Sequence, residues 1–217
     1  PIPDEFRKFQ RNWMRYFERE PEGCVYFVSI DPAIETENGH DFTAMVVVAV
    51  DQLENYYVVE IVNRRMLPSE TINKIFELFE KYKPAVTAIE TQGFQKMLKM
   101  EVDRQKRMRG LFPIIREVKS EGVRKHMRIE ALQPRFEAGK IFIKRSQHEL
   151  ETQLLRFPSS VTKDDIVDAL AYVPSIARPA AHQVVNLNPN CYAAIFARDK
   201  KRRIIGESWG NHKIRKW

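Results

Sequence analysis

The chain has 217 residues, of which 43% are hydrophobic and 30% charged, and a formal net charge of +7. That is the composition of a globular protein and excludes a disordered or fibrous one. The longest uninterrupted apolar run, residues 44–50, is far short of the roughly 18 that a membrane-spanning helix needs, so no membrane role is expected.

The sequence starts at Pro1, and the charged residues that follow do not read as a signal peptide, so it reads as a piece of a longer protein. Phe6, Phe9, Trp13 and Phe17 recur at helical spacing and predict an amphipathic helix over residues 4–19, ended by Pro21-Glu22-Gly23. The run 25–30 is almost continuously apolar, as in a strand buried on both faces, and stops at Asp31-Pro32. Residues 42–50 and 56–62 predict two more strands across a polar turn, and Pro68-Ser69-Glu70 opens a helix through Tyr82. A short strand over 85–89 ends at Glu90. Then come a helix over 91–108, a strand over 114–118, a helix over 123–138, a strand over 141–143, and helices over 146–155 and 163–176. Three consecutive strands followed by alternating helices and strands predict an α/β fold whose sheet begins antiparallel and turns parallel. The organisation expected is a connector helix over 1–22, one domain over 23–177 and a basic tail over 178–217.

Charge is zoned. Residues 178–217 hold nine Lys/Arg against two acids, so the first 177 residues are net neutral. A second basic zone, residues 96–128, has eleven Lys/Arg against four acids. Positive zones on a neutral body fit a polyanion, most simply nucleic acid, although solvated helix faces and a solubilising tail give the same counts. Lys96 and Lys99, Lys125 and Arg128, and the tail run Lys200, Lys201, Arg202 and Arg203 are the candidate phosphate contacts.

Asp31 and Glu90 both stand at the carboxyl ends of apolar strand runs, the edge at which open α/β sheets bind ligands. Asp164, Asp165 and Asp168 open the last helix, where Asp168 shares a face with either neighbour. Capping and the helix dipole would account for Asp164 or Asp165 alone, whereas Asp168 lies a turn inside. Together these carboxylates suit hard divalent cations, and two such ions about 3.5–4 Å apart support phosphodiester cleavage. Other chemistries lack their residues. The five histidines show no paired metal spacing, there is no GxSxG, and Gly139-Lys140 has Pro134 and Ile141 where a phosphate loop needs glycine and Ser/Thr.

The segments Ser29-Ile30-Asp31-Pro32-Ala33, Gly39-His40-Asp41-Phe42-Thr43-Ala44, Ala88-Ile89-Glu90-Thr91 and Lys163-Asp164-Asp165-Ile166-Val167-Asp168-Ala169-Leu170 carry a resemblance. Over residues 24–177 the chain resembles ribonuclease H-like nucleases, and within them the C-terminal nuclease domain of the large terminase subunit of tailed bacteriophages. The resemblance implies a metal-dependent endonuclease that cuts concatemeric viral DNA during genome packaging, using Mg2+ or Mn2+ in a two-ion site. It implies Asp31, Glu90, Asp165 and Asp168 as catalytic residues, with Asp164 and Asp41 as further metal ligands. The partners implied are double-stranded DNA, an ATPase motor domain preceding the nuclease, the small terminase subunit and the portal, in the host cytoplasm. A junction resolvase, a transposase core and a non-catalytic DNA-binding or capsid-docking module are the rival readings.

Overall fold

The apolar runs of the sequence become one seven-stranded sheet in the computed structural model, which describes residues 7–32, 42–90, 96–118, 125–158 and 163–179. The strands are β1 (Arg15–Tyr16), β2 (Val25–Asp31), β3 (Thr43–Val50), β4 (Tyr56–Arg64), β5 (Val86–Glu90), β6 (Ile115–Val118) and β7 (Ile141–Ile143). Their order is β1-β7-β4-β3-β2-β5-β6. Only β3 runs antiparallel to its neighbours; every other pairing is parallel. The expected mixed sheet is therefore present, and six carboxyl ends share one edge. The turn from β3 to β4 is closed by the Asp51 carboxylate, which accepts hydrogen bonds from the Leu53 and Asn55 N–H groups at 2.8 Å each.

Helices cover both faces, which is why β3 can be apolar throughout. On one face, α1 (Pro68–Tyr82) and α2 (Lys96–Arg109) pack with Val28, Ile30, Met45 and Val47. On the other, α3 (Lys125–Glu130), α4 (Gln133–Glu137), α5 (His148–Arg156) and α6 (Asp165–Ile176) pack with Phe27, Ala44, Val46 and Val48. Helix α6 crosses β2, β3 and β5 and is buried along nearly its whole length. The residues beneath it are small: Ser29, Ala44 and Ala88 are fully buried, so the helix can approach the strands closely.

The first element departs from expectation. In place of a helix over 4–19, the described part holds a 3-10 turn at Arg11–Trp13 and the edge strand β1, paired in parallel with β7. The aromatic spacing imitates a helix because the segment serves two cores. Phe9 packs edge-on against Phe136 and Phe157 on the α6 face, whereas Phe17 packs against Tyr57 on the opposite face. A second departure is the expected helix over 123–138, which is two short helices broken at Ala131-Leu132, with Pro134 in the first turn of α4.

A buried glutamine sets the start of α6. Gln153 of α5 is 3% exposed, and its Oε1 accepts the Ile166 and Val167 N–H groups at 3.1 and 3.3 Å. Those donors belong to the first helical turn and have no partner within the helix. Replacement Gln153→Leu leaves them buried and unpaired, and should lower stability to chemical denaturation by about 1–3 kcal/mol, with Gln153→Glu retaining more of it. A Gln153→Leu protein as stable as wild type would show that α6 does not need this cap.

Candidate metal centre

Asp31 ends β2 and Glu90 ends β5, and the parallel register, Ser29 with Ala88 and Ile30 with Ile89, brings the two strand ends side by side. Side chains alternate along a strand, so Asp31 follows Phe27 and Ser29, and Glu90 follows Ala88, onto the face covered by α6. Asp168 meets them from α6. It is 3% exposed, Glu90 is 8% exposed, and Asp31 is partly open to solvent. One oxygen of each carboxylate lies within 4.8 Å of the other two.

Two cations from α3 neighbour this cluster. Arg128 donates to Asp168 Oδ1 through Nε at 2.9 Å and Nη2 at 2.5 Å. Its guanidinium also lies 4.2 Å from the centroid of the Tyr172 ring, one turn further along α6. Lys125 Nζ stands 2.7 Å from Asp164 Oδ1 and 3.4 Å from Asp168 Oδ2. These contacts hold Asp168 in place.

The electrostatics follow from the crowding. Burial, then the Asp168 and Glu90 carboxylates, push the Asp31 pKa up to about 8 from its ordinary 3.8, against the pull of Lys125. Burial likewise raises Asp168, and Lys125 and Arg128 offset this only in part. Burial and the Glu90 carboxylate raise the Tyr172 phenol far above its usual range. Lys125 is desolvated, yet its carboxylate neighbours, Asp164 first, hold it charged above the usual lysine range. Three converging carboxylates that resist joint ionisation form a donor set that a hard divalent cation stabilises, because the ion neutralises the repulsion while accepting oxygen ligands. The residues present therefore fit a divalent metal.

Of the expected acids, the structure brings together Asp31, Glu90 and Asp168. Asp164, the residue before α6, and Asp165, in its first turn, lie outside that group, and Asp164 pairs with Lys125. Asp41 and Lys200, Lys201, Arg202 and Arg203 fall outside the described residues. Lys96 and Lys99 lie on α2, with their side chains likewise outside that description. Lys125 and Arg128 are engaged with acids, and the Arg128 side chain is only 11% exposed. Two residues went unnoticed in the sequence. Gln153 interrupts the apolar stripe of Leu150 and Leu154, which is a readable signal; Tyr172 lies among apolar α6 residues and gives none.

A mixed sheet whose edge gathers two strand-end carboxylates with a third from a covering helix is the arrangement expected of a ribonuclease H-like domain. Residues 28–174 match the Terminase RNaseH-like domain family, and the chain belongs to that family. No curated protein matches the chain. Among solved structures it is similar to the large terminase nuclease from thermophilic phage G20c with bound magnesium, at 19% identity and TM-score 0.54, covering 76% of this chain and 92% of that one. The human cytomegalovirus terminase nuclease domain, soaked with manganese and inhibitor-bound, has TM-score 0.54 at 11% identity, covering 79% and 95%. The nuclease domain of the large terminase subunit of bacterial virus Sf6 has the same TM-score at 10% identity, covering 76% and 97%. At these identities the likeness shows a shared fold.

With its pKa at about 8 when folded and near 3.8 otherwise, Asp31 holds its proton in the folded state across that window. Its contribution to stability therefore falls as pH rises from about 4 to 8. Without metal, Asp31→Asn should unfold at a higher temperature than wild type, and the gap should be wider at pH 8 than at pH 5. Added divalent cation should raise the wild-type midpoint more at pH 8 than at pH 6, since binding displaces that proton, and should do little for Asp31→Asn. A cation-induced shift that survives in Asp31→Asn, or is independent of pH, would contradict the cluster as the binding site.

Proposed function

We propose that the protein is the nuclease domain of a viral large terminase and hydrolyses phosphodiester bonds of double-stranded viral DNA during genome packaging. The observation that carries this reading is the convergence of Asp31, Glu90 and Asp168 at the sheet edge, in a chain of the terminase ribonuclease H-like family. In this reading the three carboxylates hold Mg2+ or Mn2+, and a two-ion site is the expected form. Held by these carboxylates, such a metal would supply activation of a water and charge stabilisation of the leaving oxygen. Arg128, backed by the Tyr172 ring, fixes Asp168 with two hydrogen bonds to one oxygen, and Gln153 fixes the helix start that carries it. Lys125 spans Asp164 and Asp168 and keeps a positive charge where phosphate would approach.

The remaining parts of the reading rest on family membership and charge. The cut is proposed to be largely sequence-independent, as the family resemblance implies. Residues 178–217, which carry the chain's excess positive charge, are proposed to add DNA affinity by counterion release. An ATPase motor domain, the small terminase subunit and the portal are the proposed partners, in the cytoplasm of the infected host. No helix among the described residues is long and apolar enough to cross a membrane.

Supercoiled plasmid incubated with the protein and Mg2+ or Mn2+ should be nicked and then linearised, and a chelator should stop the reaction. Asp31→Asn, Glu90→Gln and Asp168→Asn should each reduce cutting below detection while remaining folded. Nicking by folded Asp31→Asn at the wild-type rate would contradict the assignment, as would nicking in the presence of chelator.

A further inference from the structure

A second cationic feature lies at the same sheet edge, where β3 begins and β4 ends. Phe42 immediately precedes β3 and Arg65 immediately follows β4, while Thr43 pairs with Arg64 and Ala44 pairs with both Asp31 and Asn63. Lys163 reaches this place from the approach to α6. Its Nζ stands 4.4 Å from the centroid of the Phe42 ring, and Arg65 Cζ stands 5.6 Å from the same centroid. Both cationic side chains belong to exposed residues, and Phe42, whose ring they share, is partly buried. The ion pairs at this edge join Lys125 and Arg128 to Asp164 and Asp168; among the described residues, neither Lys163 nor Arg65 takes part in them. Lys163 is next in sequence to Asp164, yet the Asp164 carboxylate is held by Lys125.

Two cations drawn to one aromatic ring gain from its negative face but repel each other, and an anion between them relieves that repulsion. Strands in a sheet lie about 4.8 Å apart, so the two steps from β2 to β4 place the end of β4, which Arg65 follows, on the order of 10 Å from the end of β2. We infer that Lys163 and Arg65, which share the Phe42 ring, grip the DNA backbone beside the carboxylate cluster, so that the bound strand runs from the cluster toward β4. The inference rests on the nuclease reading above and adds the path of the substrate to it. These two cations are distinct from Lys125 and Arg128, which pair with Asp164 and Asp168.

The test is duplex binding by fluorescence anisotropy in Ca2+, over a series of salt concentrations, with the full chain. Lys163→Gln/Arg65→Gln should bind every duplex sequence at least about fivefold more weakly, and its log-affinity against log-salt slope should be shallower by about 2, one per phosphate contact. Removing equal charge at Arg107 and Arg116, at the β6 end of the molecule, should change the slope less. The cation-induced rise in melting temperature should be the same in the double variant as in wild type, because the carboxylates are untouched. A double variant with the wild-type slope, or a control pair that flattens it equally, would overturn the assigned path while wild-type nicking left the nuclease reading standing. A wild-type chain that neither binds nor nicks DNA would overturn both.

Discussion

The structure is organised around a repulsion. Three carboxylates are brought within 4.8 Å of one another at the end of a buried sheet, and each fully ionised pair at that spacing is opposed by something on the order of 3 kcal/mol at an effective dielectric constant near 20. Burial, and then the Asp168 and Glu90 carboxylates, raise the Asp31 pKa to about 8, which favours a proton on the cluster. The surrounding framework has to hold the acids together in spite of the repulsion. Parallel pairing fixes Asp31 beside Glu90, and the buried face of α6 fixes Asp168 above them. Arg128 and Lys125 supply positive charge to Asp168.

Much of this was legible in the sequence, for physical reasons that differ by element. Strands β2 and β3 are buried on both faces, so they read as nearly unbroken apolar runs, and a carboxylate at the end of such a run stands out. Helix α1 runs over Pro68–Tyr82, as its proline start and apolar spacing predict. Asp31 and Glu90 were visible because, although a turn or a helix cap would account for either alone, the two recur at the carboxyl ends of apolar strands together with the acids of the last helix. Asp168 was visible because it follows the cap position of α6 by four residues, where a cap does not account for it.

What was not legible depends on tertiary placement. Phe9 and Phe17 have helical spacing but belong to opposite faces of the sheet, a division that only the edge pairing of β1 with β7 reveals. Which of Asp164, Asp165 and Asp168 meets Asp31 and Glu90 is settled only when α6 is laid on the sheet, where Asp168 joins the cluster and Asp164 pairs with Lys125. The same holds for the basic residues. Lys125 and Arg128 were read as phosphate contacts, and their pairing with Asp164 and Asp168 appears only once α3 packs against α6. Lys163 and Arg65 are far apart in sequence and meet only through Phe42.

The central claim is that Asp31, Glu90 and Asp168 form a divalent-metal centre. Anomalous diffraction from crystals soaked in Mn2+ tests it most directly, because the manganese signal locates the ion without reference to activity. A peak within coordination distance of oxygens from all three carboxylates is the predicted result. Peaks found only elsewhere, or on Asp164 and Asp165 without Asp31 and Glu90, would contradict it.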